Sequence, residues 1–330
     1  MRILFLLSLF IFLVSENIYS QGCCSGGNGC PIAGGTSQGV LSEKQLELNA
    51  NYQYFNSSKF FAQDRDTARL FDNLNTNYLY FRTAYGVTKN LTMSVEAGYF
   101  INKTQIGLEK RDTIESGGIA DIILFPRYML YSKTKGTNRT EITLGLGLKI
   151  PIGTYNDSLV AYTNPRSGEK KYITSPPVVQ PTNGSQDFIF YGFFLKSFKN
   201  FRMFLNTIYV KKGWNPLGLK FGNYANVSLF AGKTFFEHLG ATIQIKGEWI
   251  GKIQSAPKVK LASYYIDKDA TGGKSVFIIP QISYNYKSVT IYCLSEIPIY
   301  QYLNKAQIGS QYQVTFGVSY RFFIKKMNKE

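Results

Sequence analysis

The chain has 330 residues and a formal net charge of +16, from 37 lysines and arginines against 21 acidic residues. Aromatic side chains make up 15% of it, 24 Tyr and 25 Phe against 2 Trp. No apolar run beyond the N-terminus is long enough to cross a bilayer as a helix, which takes roughly 20 residues, and no Gly-x-Ser-x-Gly, phosphate loop or dinucleotide fingerprint is present.

Residues 1–20 read as a secretory signal. Arg2 supplies the positive start, Ile3 to Val14 form an apolar stretch broken only by Ser8, and the small Ser20 stands where cleavage would fall, although Ile18 is a poor match two residues earlier. A chain that leaves the cytosol has no call for nucleic acid, so the positive charge needs another explanation.

Residues 21–43 form a leader rich in glycine and cysteine, beginning "QGCCSGGNGCPIAGG". Vicinal Cys23 and Cys24 do not readily pair with each other, so Cys30 would bridge to one and leave an odd thiol. The same three thiolates, Cys23, Cys24 and Cys30, are the candidate ligands for a soft metal such as Cu(I), the one cofactor the chain suggests. A lipid anchor at Cys23 and a flexible plug-like tail are the other readings.

From residue 44 the apolar residues alternate with polar ones. In "GSQYQVTFGVSYRFFIKK", Tyr312, Val314, Phe316, Val318, Tyr320 and Phe322 share one parity, while Gln311, Gln313, Thr315, Gly317, Ser319 and Arg321 share the other, as a strand with one greasy face requires. Twelve such segments follow in order, near 44–56, 75–86, 90–103, 117–132, 139–151, 186–198, 201–211, 221–233, 238–252, 274–286, 288–299 and 310–324. The gaps between them alternate short and long, the long ones being 57–74, 104–116, 152–185, 212–220, 253–273 and 300–309. A sandwich, the soluble alternative, has no reason to sort loops by parity, whereas a transmembrane antiparallel β-barrel has short periplasmic turns and long outer loops. Aromatics at segment ends (Tyr52, Tyr54 and Phe55; Tyr99 and Phe100; Phe198 and Phe201; Tyr300 and Tyr302) fit interfacial girdles. The fold class expected is therefore all-β, an outer-membrane barrel of about twelve strands over residues 44–330, with the leader on the periplasmic side.

The terminal "VTFGVSYRF" resembles the last strand of Gram-negative outer-membrane proteins. "AYGVTKNLTMSVEAGYF", "GGIADIILFPRYML" with its Gly118-x-x-Asp121 entry, and "LGLGLKIPIG" resemble transporter-type barrels of the group named for the MetA pathway of phenol degradation. "CCSGGNGCPIAGG" is similar to leaders of Bacteroidetes barrels. The resemblance implies the barrel, its membrane and a transport role.

Charged residues on the inward parity are Glu47, Arg82, Glu96, Asp121, Arg127, Lys149, Lys246, Glu248 and Arg321. Mixed in sign, they either pair across a narrow interior and stiffen it or line a solute path. The function expected is a passive channel or transporter for a small solute. Lysines in and beside the long loops, among them Lys211, Lys212, Lys252, Lys258 and Lys260, would meet lipopolysaccharide phosphates or draw anions. The alternatives are a structural or adhesive barrel, with loop 152–185 and its "SPPVVQP" as the binding element, and a barrel whose leader handles metal. Catalysis is disfavoured because the one histidine, His238, falls in a short periplasmic turn, away from the outer leaflet where a membrane hydrolase needs its base.

Overall fold

The computed structural model describes residues 39–110, 112–198, 201–260 and 266–324. The signal, most of the leader and with it Cys23, Cys24 and Cys30 lie outside the described residues.

Among the described residues, twelve long strands make one antiparallel barrel. They are β1 (Gln45–Ser57), β2 (Asn73–Gly86), β3 (Leu91–Ile106), β4 (Ile122–Lys135), β5 (Asn138–Ile150), β6 (Asp187–Ser197), β7 (Arg202–Lys211), β8 (Tyr224–Phe235), β9 (Leu239–Ile250), β10 (Gly273–Tyr286), β11 (Val289–Ile308) and β12 (Tyr312–Phe323). Each pairs with the next, and β12 pairs back onto β1 with Glu47 opposite Arg321. Closure leaves the barrel wall no open edge, so its backbone N–H and C=O groups are paired without water, as lipid demands.

The alternation sets the two faces. On β1, Glu47, Asn49, Asn51 and Gln53 are buried inside while Leu48 is exposed outside; on β5, Ile142, Leu144 and Leu146 face out and Thr143 and Lys149 face in. Phe81, Leu229, Ile282, Ile291 and Phe316 continue the exposed apolar belt around the wall. Cys293, a free thiol, lines a shallow apolar groove of about 540 Å³ on this face beside Phe81, Ile291 and Phe316.

Five turns are short, at 87–90, 136–137, 198–201, 236–238 and 287–288, and five opposite connections are long, at 58–72, 107–121, 151–186, 212–223 and 251–272. Two expectations need correction. The segment expected as one strand over 117–132 is two, Thr113–Ile119 and β4, both paired with β3; Gly118, at φ +133°, bends the chain where a side chain would be strained. The loop expected at 300–309 is strand instead, because β11 continues beyond the wall and Leu303–Ile308 takes the short strand Phe60–Gln63 as its partner.

Several inward glycines make room for aromatic rings on the neighbouring strand. Tyr292 of β11 lies against Gly317 of β12, where a β-carbon would overlap the ring, and Phe125 of β4 covers Gly145 and Gly147 of β5 in the same way. The Tyr292 hydroxyl then reaches β1, accepting from Asn49 Nδ2 at 3.2 Å and Asn51 Nδ2 at 3.3 Å. Gly317→Val should force the ring off the wall at a cost of about 1–3 kcal/mol. The expected outcome is a lower temperature for loss of the compact, fast-migrating form of unboiled protein on detergent gels.

Candidate functional site

Among the described residues, the barrel interior carries three groups of paired charges and one separate pair, Glu141 with Arg139. In the first, Glu47 accepts from Arg82 Nη2 at 2.5 Å and from Arg321 Nε, so one carboxylate joins β1, β2 and β12. Nearby on the inner wall, Arg127 lies with its guanidinium carbon 5.8 Å from the Phe125 ring centroid, and Glu96 accepts weakly from Ser94 Oγ at 3.5 Å. Glu141 receives Arg139 Nη2 at 2.6 Å and Thr143 Oγ1 at 3.1 Å.

The second group sits at the outer end. Lys149 Nζ lies 2.5 Å from Asp121 and 2.9 Å from Asp187, and Lys212 Nζ lies 2.9 Å from the same Asp187 oxygen. Thr182 Oγ1 and Ser185 Oγ, both from the long connection 151–186, donate to Asp121 at 2.5 Å and Asp187 at 2.8 Å. In the third group, Lys246 Nζ bridges Glu296 at 2.7 Å and Glu248 at 3.3 Å while standing 4.3 Å above the Phe277 ring. Tyr224 completes it by donating to Glu248 at 3.2 Å.

The structure places Glu47, Arg82 and Arg321, with Arg127 and Glu96 nearby, in one group, Asp121 and Lys149 in a second, and Lys246 and Glu248 in a third, rather than in one ring. Sequence reasoning passed over Glu141, Asp187 and Glu296, although each falls on the inward parity of its strand. It also missed an apolar half of the interior, where Ile123, Phe125, Ile189, Tyr191, Phe193, Phe204, Ile208 and Phe230 pack together. The available signal was "DFIFYGFFLK", which is apolar on both parities and so belongs to a strand greasy inside and out.

The connection 151–186 folds into the outer mouth. Val179 is fully buried against Phe55 of β1 and Leu74 of β2, so the loop that leaves β5 reaches past β3 and β4 to pack on β1 and β2. Lys103 Nζ donates to the Gln180 carbonyl at 2.9 Å, and the Gln180 amide donates to the carbonyls of Asp157 and Ser175, both at 3.1 Å. "SPPVVQP", expected as a surface-binding element, is thus spent on the barrel itself: Ser175, Val179 and Gln180 are buried and Pro176 to Val178 largely so.

His238 lies in the short turn between β8 and β9. Its Nδ1 donates to the Asn285 carbonyl at 2.9 Å, and its own carbonyl accepts the Asn285 N–H at 2.8 Å, so it ties its turn to the end of β10. Among the described residues no group of three His, Cys, Asp or Glu is arranged to hold a metal ion.

A closed antiparallel barrel with an apolar outer belt and charged inner wall is the architecture of an outer-membrane protein, and the outer membrane is where this chain resides. The sequence matches no protein-family model and no curated protein. Among solved structures, the fold is similar to an outer membrane channel from Pseudomonas putida F1, with a TM-score of 0.66 and 11% identity over 90% of this chain and 100% of that one. More distant matches include the translocator domain of the autotransporter NalP from Neisseria meningitidis, with a TM-score of 0.42 and 9% identity over 86% of this chain and 90% of that one. A FadL homologue from Pseudomonas aeruginosa gives 0.38 and 7% over 86% and 91%.

Two predictions follow the charges. Glu47→Gln strips the buried Arg82 and Arg321 of their shared counter-ion and should cost about 3–5 kcal/mol, read as a lower urea midpoint in refolding from vesicles. In the outer loop 251–272, Asp267 is held below the usual carboxylate range by the Asp269 backbone N–H and by Lys305, and Asp269 is held there by Lys252 and Lys305. Both lowered values mean that their contribution to loop order is complete above the ordinary aspartate pKa of about 3.9 and is lost as pH falls through the lower folded values. Hydrogen exchange in this loop should therefore be insensitive to those pairs from pH 7 to 5, after correction for the intrinsic rate, and gain an extra acceleration below about pH 3.9.

Proposed function

We propose that this chain is a passive channel for a small solute, with a mixed-charge lumen. The observation that carries the reading is the inner wall itself: three groups of opposite charges on an otherwise closed barrel, with Lys149, Asp121 and Asp187 placed where a solute would enter past the loop 151–186. Such groups offer alternating attraction for both signs of charge, which suits small polar solutes and gives weak discrimination between ions. The similarity to a channel fold supports this reading, as does the resemblance of "GGIADIILFPRYML" and "LGLGLKIPIG" to transporter-type barrels. We read the origin as a Bacteroidetes-like Gram-negative cell, the signal as residues 1–20, the leader 21–43 as periplasmic, and the outer lysines as contacts for lipopolysaccharide phosphates. The adhesive reading is weaker, since the loop it needs is packed in the mouth. So is the catalytic one, since the His238 ring is engaged with the Asn285 carbonyl of β10.

Single-channel recording in planar bilayers, with solute uptake into vesicles, tests the proposal. Wild-type protein should give discrete conductance steps. Lys149→Gln removes the cation between two aspartates and should shift the reversal potential in a salt gradient towards cation preference. An electrically silent barrel that also excludes small solutes from vesicles would overturn the channel reading.

A further inference from the structure

The lipid-facing side of the wall is mostly apolar, but at the short-turn end of three neighbouring strands it is basic. Lys133 of β4 is paired with Thr140 of β5, and Thr140 in turn with Lys196 of β6, so the three stand side by side in one row. Directly opposed residues share a face. Here it is the outer one, because one step towards mid-membrane the same strands align Tyr131, Ile142 and Phe194, all of them exposed. Leu144 and Leu146 continue that apolar surface along β5.

The two lysines flank a single strand, about 10 Å apart at the backbone. Lys196 Nζ is turned over the middle of the row, donating to Thr140 Oγ1 at 3.1 Å, and Lys133 is exposed on the other side. No carboxylate stands on the outward face from β3 to β7: β4 and β7 carry none, and Glu96, Glu141 and Asp187 are buried inside. Two cations gathered on one surface without a counter-ion attract an anion. The row loses its charge beyond β6, where it continues to Met203 of β7 and Ala231 of β8. The adjacent turn sets the depth. Phe198 and Phe201 stack there with ring centroids 5.2 Å apart and both stay exposed, as aromatic rings do at the headgroup level. An acidic protein in the periplasm would meet the lysines but not Tyr131, Ile142 and Phe194, which face hydrocarbon. A glycerophospholipid matches both halves, with its phosphate at the basic row and its acyl chains along the apolar one.

We propose that Lys133, Thr140 and Lys196 bind the phosphate of an anionic glycerophospholipid in the periplasmic leaflet, whose acyl chains lie on Tyr131, Ile142 and Phe194. The site stands whether or not the lumen conducts. Native mass spectrometry of the folded chain in detergent tests it, with dioleoyl phosphatidylglycerol or dioleoyl phosphatidylethanolamine added. One phosphatidylglycerol should be retained in preference to phosphatidylethanolamine. Lys133→Gln combined with Lys196→Gln should weaken its binding by roughly tenfold or more, since each basic residue at a lipid surface contributes about fivefold. Lys233→Gln combined with Lys287→Gln removes the same charge from the same end, outside the row, and should leave binding unchanged. Phe194→Ser should weaken it with both lysines intact, and millimolar inorganic phosphate should not displace the lipid. The compact gel form of each variant is the folding control. Equal retention of the two lipids, equal loss in both double variants, or displacement by inorganic phosphate would each sink the site.

Discussion

Hydrocarbon offers a peptide group nothing to bond to, and the rest of this structure follows from that. A strand in lipid must have a partner on both sides, so β1 has to meet β12 as well as β2, and the sheet has to curve until it closes. Closure then forces the sorting of side chains. The outer parity is greasy because it meets lipid, and the inner parity carries the charge because it alone is sheltered from lipid. Once inside, each charge needs a counter-charge within reach across the wall, which is why Glu47 serves strands on both of its sides.

The same constraint explains the division between what was legible in the sequence and what was not. A period of two is a local property, so β1, β5 and β12 can be read from their own residues, and their outward Leu48, Leu146 and Phe316 with them. The inward placement of Glu47, Arg82 and Lys149 comes with the same parity. Their grouping does not, because which inward residues meet depends on register between strands far apart in the chain, such as Glu47 with Arg321. β6 is found as a strand near 186–198, but its inner face is not legible by alternation, since it joins an aromatic cluster and both parities are apolar.

Above the membrane, periodicity loses its hold. The segment 300–308 is as polar as a loop, yet it is strand because a hairpin from the first outer connection supplies hydrogen-bond partners there. Likewise "SPPVVQP" reads as an exposed proline-rich tip, and only the fold shows that Val179 packs with Phe55 of β1 and Leu74 of β2. Both results come from long-range partners that no local pattern announces. The mouth is consequently built by the least predictable part of the chain, while the wall that supports it is built by the most predictable.

The seam between β1 and β12 also sets an order of events. Its paired residues are separated by almost the whole barrel sequence, with Glu47 and Arg321 274 positions apart. Until the last strand has been delivered, the growing sheet carries two raw edges, each able to pair with another chain, and neither the ion pair nor the ring of Tyr292 against Gly317 can form. The barrel is therefore hostage to its own C-terminus during biogenesis: a chain truncated before Tyr312 has no means of healing itself, and it arrives at the membrane as an open sheet requiring an escort.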